Sequence, residues 1–129
     1  MNTPKGLKYN KTDEWIKVEG NTAIIGISDY AQNQLSDIVY IEFNKEPGEM
    51  LEKDQILATI ESVKAAADVN SPINGKIIEV NEQLSDSPET LNKDPYEKGW
   101  LYKVALKDPS ELNTLLDASE YDTFCESRH

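Results

Sequence analysis

Glu61-Ser62-Val63-Lys64-Ala65-Ala66-Ala67-Asp68-Val69-Asn70-Ser71-Pro72-Ile73-Asn74-Gly75 is the stretch on which the reading of this chain turns. Ile56-Leu57-Ala58-Thr59-Ile60-Glu61 runs into it as a strand of mixed burial, and Ile77-Ile78-Glu79-Val80 leaves it as another after the Ser-Pro-Ile-Asn-Gly turn. A strand on each side places Lys64 at an exposed hairpin turn. A short helix competes locally, because Val63 to Ala67 contains three good helix formers. A lysine chosen blindly is a solvated surface residue. Lys64 is set apart by small neighbours, Glu61 three residues before it and Gly75 eleven after it.

Outward from this segment the chain reads as short strands with regular turn signals. Trp15 to Glu19 and Thr22 to Ile27 flank Gly20-Asn21, a two-residue connection that predicts a tight hairpin. Ser28-Asp29 reads as a helix start, with Ala31 and Leu35 on one face. Ile38 to Phe43 is β-branched and aromatic, which predicts a well-buried strand. Leu84 to Gly99 shifts to Ser, Asp, Pro, Asn and Lys and reads as a long loop with one helical turn, before Trp100 to Leu106 returns to strand. In the tail, Asp108 with Glu111 and Asp117 with Glu120 each place a capping acceptor and a first-turn carboxylate where free backbone amides favour them. Leu112, Leu115 and Leu116 give the first tail helix an apolar face, and Tyr121, Phe124 and Cys125 the second. The expectation is a mainly β, flattened barrel-sandwich with short helices. One domain spans residues 1–129, its core about 6–106 and a C-terminal helical segment 109–127.

Composition narrows the function classes. The chain has 129 residues, 24 acidic against 13 basic, and a formal net charge of -11. Such a surface repels phosphate backbones and anionic lipid, so neither nucleic acid nor membrane is expected as a partner. It favours steered, salt-sensitive encounters with proteins that present basic patches. No apolar run exceeds the four residues Ile38 to Ile41. Met1 to Gly6 lacks a signal-peptide pattern, and the single cysteine, Cys125, suits a reducing compartment. The only histidine is His129. No Ser/His/Asp set, Cys/His pair, zinc-ligand cluster or glycine-rich phosphate loop can be assembled, so a self-sufficient enzyme is not expected.

The Glu-Ser-Val-Lys-Ala core with its trailing Ser-Pro-Ile-Asn-Gly resembles the lipoylation site of the glycine cleavage system H-protein family. Further motifs fit that family in order: Lys8-Tyr9 with Glu14-Trp15; Gly26-Ile27-Ser28-Asp29-Tyr30-Ala31-Gln32 with Asp37-Ile38-Val39; Asn92-Lys93-Asp94-Pro95-Tyr96 with Gly99-Trp100; and the tail motifs Ser110-Glu111-Leu112 and Glu120-Tyr121. The resemblance runs from about Gly6 to Cys125. Biotin carriers, related by fold, have methionine on both sides of the modified lysine, where this chain has Val63 and Ala65.

The resemblance implies that Lys64 carries lipoic acid as lipoamide. A free lysine near pKa ~10.4 is a poor nucleophile at neutral pH, so attachment would need a lipoate–protein ligase or a lipoyl/octanoyl transferase that reads the turn. Glu61 and Gly75 fall where the family carries its recognition marks. They read equally as a solvated strand-end carboxylate and a turn glycine with positive φ. The implied partners are a pyridoxal-phosphate-dependent glycine decarboxylase, which loads an aminomethyl group, a tetrahydrofolate-dependent aminomethyltransferase, which removes it, and dihydrolipoamide dehydrogenase, which reoxidises the arm. The implied arm contacts are Glu14, Trp15, Thr12 and Asp68. On its own residue type Trp15 reads as core before contact, and Thr12 and Asp68 as turn or solvated residues before contacts. Many relatives have histidine where this chain has Asp13, which adds a negative charge beside the implied site. Two alternatives stay open: a lipoyl-relay protein of the same fold, and an unmodified β-sandwich interaction module. A bacterial cytoplasmic address is expected, or the mitochondrial matrix for a mature eukaryotic form.

Overall fold

The computed structural model describes residues 1–128; His129 lies outside the described residues. Local sequence rules account for much of the secondary structure. β1 (Lys8–Tyr9) precedes β2 (Glu14–Glu19), which turns through Gly20-Asn21 into β3 (Thr22–Ile27). Glu19 pairs with Thr22, and Gly20 takes the positive φ of +62° that this turn needs. Ser28 caps α1 (Asp29–Leu35) by accepting from the Ala31 amide at 3.1 Å, as its position predicts.

Then follow β4 (Ile38–Phe43), β5 (Met50–Leu51), β6 (Ile56–Ser62), β7 (Ala66–Asn70) and β8 (Gly75–Val80). The helix competing for residues 63–67 does not form. Ala66 to Asn70 pair antiparallel with β6 from Glu61↔Ala66 to Ile56↔Asn70, and this ladder outweighs the helix propensity of three alanines. The predicted loop 84–99 holds two four-residue helices, α2 (Gln83–Asp86) and α3 (Thr90–Lys93), around the buried Leu84 and Leu91. β9 (Tyr102–Leu106) starts two residues later than predicted. A 3-10 helix, Pro109–Thr114, and α4 (Ala118–Glu126) complete the chain. Asp117 and Glu120 form the reciprocal capping box the sequence announces. Asp108 caps the 3-10 helix by accepting from the Ser110 amide at 3.0 Å, with Glu111 in the first turn as expected; one Glu111 carboxylate oxygen in addition accepts from both the backbone and side-chain nitrogens of Asn74, tying the tail to the turn before β8.

The strands form a six-stranded sheet, β1-β2-β3-β9-β8-β5, facing a three-stranded sheet, β4-β6-β7. Ile16, Ile25, Ile60, Val69, Ile77 and Val104 are among the side chains that fill the space between them. A second cluster covers the outer face of the larger sheet, where Tyr9, Trp15, Tyr121 and Cys125 meet under α4, and Tyr9 stacks on Tyr121 at 4.7 Å. The expectation of a well-buried strand at Ile38 to Phe43 is corrected. β4 is an edge strand with a register shift between Ile38 and Tyr40, so Val39 and Tyr40 are 54 % and 49 % exposed.

The positive φ expected of Gly75 is also corrected, because its backbone is not in the left-handed region. Space is the constraint instead. A Cβ at Gly75 would stand 2.4 Å from the Ala105 carbonyl oxygen and 2.5 Å from a Val104 methyl. Strand β8 can approach β9 here only without a side chain. Gly75→Ala is expected to destabilise the fold by about 1–3 kcal/mol, seen as a lower midpoint in urea unfolding, since the backbone it strikes has no room to yield.

Candidate functional site

Lys64 stands at the tip of the β6–β7 hairpin. Ser62 closes the turn: its amide donates to the Ala65 carbonyl at 2.8 Å, and its hydroxyl donates to the same carbonyl at 3.1 Å. That hydroxyl also accepts from the Ala65 amide at 3.0 Å and the Lys64 amide at 3.3 Å. The Val63 amide donates to the Asp37 carbonyl at 3.0 Å and pins the tip to the end of the loop after α1. The turn is therefore held by its backbone and the Ser62 hydroxyl, and the side chains of Val63 and Lys64 stay exposed. Among the described residues the Lys64 ammonium has no ion pair. Glu61 is exposed on β6 at the base of this hairpin, opposite Ala66 on one side and Tyr40 on the other.

Strand β7 leads from the tip to a groove of about 170 Å³ at the seam between the sheets. Ile27, Leu35, Ile60 and Val69 give it an apolar floor; Thr12, Glu14 and Asp68 supply polar groups. Three predicted contact residues, 12, 14 and 68, thus meet in one place although they come from opposite sheets. Trp15 is the exception and is corrected. Alternation along β2 turns it to the outer face, where it is 1 % exposed, its ring lies against Gly26, and its Nε1 donates to the Pro95 carbonyl at 2.9 Å. Trp15 is core beneath α4 and is no part of the groove surface.

Glu14 is 1 % exposed and accepts three hydrogen bonds, from the Thr12 hydroxyl, from Asn10 Nδ2 at 3.2 Å and from the Asn70 amide at 3.3 Å. The last of these crosses the seam from β2 to β7. Burial pushes the Glu14 carboxyl up from an ordinary 4.5 to about 8, with the Asp13 charge adding a little, while the three donors pull the other way and are outweighed. Among the described residues no cation lies within ion-pair distance of it. Raised to about 8, the buried carboxyl is mostly protonated at neutral pH, and a cationic group entering the groove would favour its ionisation and pair with the carboxylate that its three donors already orient. Of the other groove and support residues, Asn10, Asn70 and Gln34 were not signalled by the sequence, and Ala31 and Leu35 were signalled only as the apolar face of a helix. Asn70 reaches Glu14 through its backbone amide, for which side-chain identity carries no information.

Because the folded pKa of Glu14 is raised, the native state binds a proton more tightly than the unfolded chain between about 4.5 and 8. Its contribution to stability is greatest at low pH and is lost as pH rises through that window. Glu14→Gln is expected to remove this dependence. Urea unfolding at pH 5, 6.5 and 8 should show wild-type stability falling relative to the variant by on the order of a few kcal/mol across the series.

Comparison with known proteins bears on the family and the fold. The family model described as Glycine cleavage H-protein matches residues 7–128. A glycine cleavage system H protein of Thermotoga maritima is 50 % identical over 121 residues, covering 94 % of this chain and 97 % of its own length. Glycine cleavage system H protein 2, mitochondrial, of Arabidopsis thaliana is 46 % identical over 122 residues, covering 95 % of this chain and 78 % of its own length. The crystal structure of a glycine cleavage system H protein from Mycobacterium marinum superposes with a TM-score of 0.84 at 34 % identity, covering 93 % of this chain and 96 % of that one. With a family model spanning nearly the whole chain and relatives at half identity over the same length, this chain belongs to the glycine cleavage H-protein family.

Proposed function

We propose that the chain is the lipoyl-lysine carrier of a glycine cleavage system, with lipoic acid in amide linkage to Lys64 Nζ. The observation that carries this reading is the pairing of an exposed hairpin-tip amine with a buried carboxyl at the far end of β7 that has no cationic partner among the described residues. From Lys64 to Asp68 is a span of four residues, the last three of them on β7, on the order of 13 Å at strand spacing, which a lysine stem extended by a medium acyl chain can cover. The apolar floor suits a hydrocarbon arm, and the Glu14, Thr12 and Asp68 wall suits a cationic end.

The bound group would supply thiol–disulfide chemistry and a sulfur on which the aminomethyl group travels. The chain's own residues hold and shield. Glu14 accepts the protonated amine, Thr12 and Asn10 keep the Glu14 carboxylate aimed, and the groove limits water at a hydrolysable cargo. Catalysis belongs to the partners: the pyridoxal-phosphate-dependent glycine decarboxylase loads the arm, the tetrahydrofolate-dependent aminomethyltransferase unloads it, and dihydrolipoamide dehydrogenase takes the reducing equivalents. A lipoate–protein ligase or lipoyl/octanoyl transferase attaches the arm. Glu61, exposed beside the tip, is the residue such an enzyme would meet; the place of Gly75 follows from its contact with β9. The buried, unpaired Cys125 fits a reducing compartment, the bacterial cytoplasm or the mitochondrial matrix.

Intact mass after incubation with a lipoate ligase, ATP and lipoate tests attachment. A single lipoyl mass gain is expected in the wild type and none in Lys64→Arg, which should also abolish glycine–bicarbonate exchange with the decarboxylase. An unmodified wild type would overturn the reading. Glu14→Ala is expected to accept lipoate normally but to lose its aminomethyl cargo faster; unchanged release would remove Glu14 from the mechanism.

A further inference from the structure

The corner that carries Thr12 and Glu14 is a strained piece of backbone. Asp13 has a φ of +82°, a region that costs a non-glycine residue about 1 kcal/mol or more and persists only where the surroundings dictate it. Backbone bonds define the bend: the Asp13 amide donates to the Asn10 carbonyl at 2.9 Å, the Asn10 amide to the Glu14 carbonyl at 2.9 Å, and the Ser28 amide to the Asp13 carbonyl at 2.9 Å. The side chain of Asp13 is held from the far end of the chain. Its Oδ1 accepts from Arg128 Nη1 at 2.8 Å and from the Tyr121 hydroxyl at 2.7 Å.

The direction of this small network follows from its members. The Tyr121 proton goes to a carboxylate that can only accept, so the contact of 2.6 Å between the Tyr121 and Ser28 oxygens must be donated by Ser28, whose oxygen also accepts from the Ala31 amide. The helix cap of α1, the α4 tyrosine and the corner are therefore joined in one chain of hydrogen bonds. Arg128 closes it. Its Nη2 donates to the Lys11 carbonyl at 2.5 Å, and its guanidinium lies 4.3 Å from the Phe124 ring centroid and 4.6 Å from that of Tyr30. One planar cation thus grips both the side chain of residue 13 and the backbone of residue 11.

We propose that Arg128 is a positioning residue for the groove: by gripping Asp13 and the Lys11 carbonyl, it holds the corner in the bend that aims Thr12 and Glu14 at the arm. This rests on the reading of Glu14 as the acceptor of a cationic cargo. It also explains how an acidic residue is accommodated at position 13, since the charge that Asp13 places beside Glu14 is neutralised by Arg128 on its other side. The charged groups that face Glu14 are Asp13 on its own corner, Asp68 on β7 and, behind Asp13, Arg128; α1 presents the uncharged Ala31, Gln34 and Leu35.

Arg128→Met tests this, because it keeps an apolar stem over Phe124 and Tyr30 while removing the cation and both donors. In the unmodified full chain, carboxyl-carbon NMR should show the Glu14 titration midpoint moving upward, as Asp13 becomes an uncompensated neighbour; an unmoved midpoint overturns the proposal. In the lipoylated, loaded protein, loss of the aminomethyl group should accelerate several-fold in Arg128→Met and in Glu14→Ala. The double variant should be no faster than Glu14→Ala alone. Multiplying accelerations would mean that Arg128 acts by a route other than Glu14 and would overturn the proposal. If Glu14→Ala releases at the wild-type rate, the reading of Glu14 fails. If Glu14→Ala is fast and Arg128→Met releases normally, only the role of Arg128 fails. Thermal unfolding confirms that each variant is folded, and Arg128→Lys, which restores the cation, should return the Glu14 midpoint towards the wild-type value.

Discussion

A hairpin closed by one serine is the constraint on which this molecule depends. Ser62 satisfies the amides of residues 64 and 65 and returns its own two donors to the Ala65 carbonyl, so the turn needs nothing from the side chains at its apex. Those side chains are then free to face solvent. Because β6 and β7 also carry Leu57, Ala58, Ile60 and Val69 into the core, the tip stands on a buried base. Stiffness below and exposure above are what a lysine needs if a second protein is to reach it.

The opposite requirement is met one strand away. Glu14 sits where two sheets meet, and desolvation dominates its chemistry even though three donors face it. Removing such a group from water is costly, and the structure leaves that cost uncompensated by any cation among the described residues. Stability and function pull apart here. A neutral residue would pack more comfortably, whereas under the proposed function a carboxyl ready to pair with an incoming positive charge would serve a fragile, amine-bearing load.

The C-terminal segment connects these themes. Its capping box and apolar face place α4 over Tyr9 and Trp15, and from that position it delivers Tyr121 and Arg128 to the back of the groove corner. The 3-10 helix does a parallel job at the other end of the sandwich, where Glu111 holds Asn74 next to Gly75. The tail is thus a brace for loops that belong to the β core.

What the sequence alone determined is whatever a few neighbouring residues decide among themselves. Gly20-Asn21 between alternating strands, Ser28 before Ala31 and Leu35, and Asp117 three before Glu120 each state a local hydrogen-bonding solution, and each forms as written. The exposed turn expected at Lys64 is local in the same sense, closed by Ser62 two residues before it. Tertiary structure decided the rest, because the partners lie far apart in the chain. The choice of strand over helix at 66–70 depends on β6, and the exposure of Val39 and Tyr40 on a register shift at a sheet edge. The need for glycine at 75 arises from the approach of Ala105, the outward turn of Trp15 from what covers each face of β2, and the burial of Glu14 from an amide 56 residues away. No pattern within a short window encodes such meetings; they exist only when two sheets close on one another and exclude water between them.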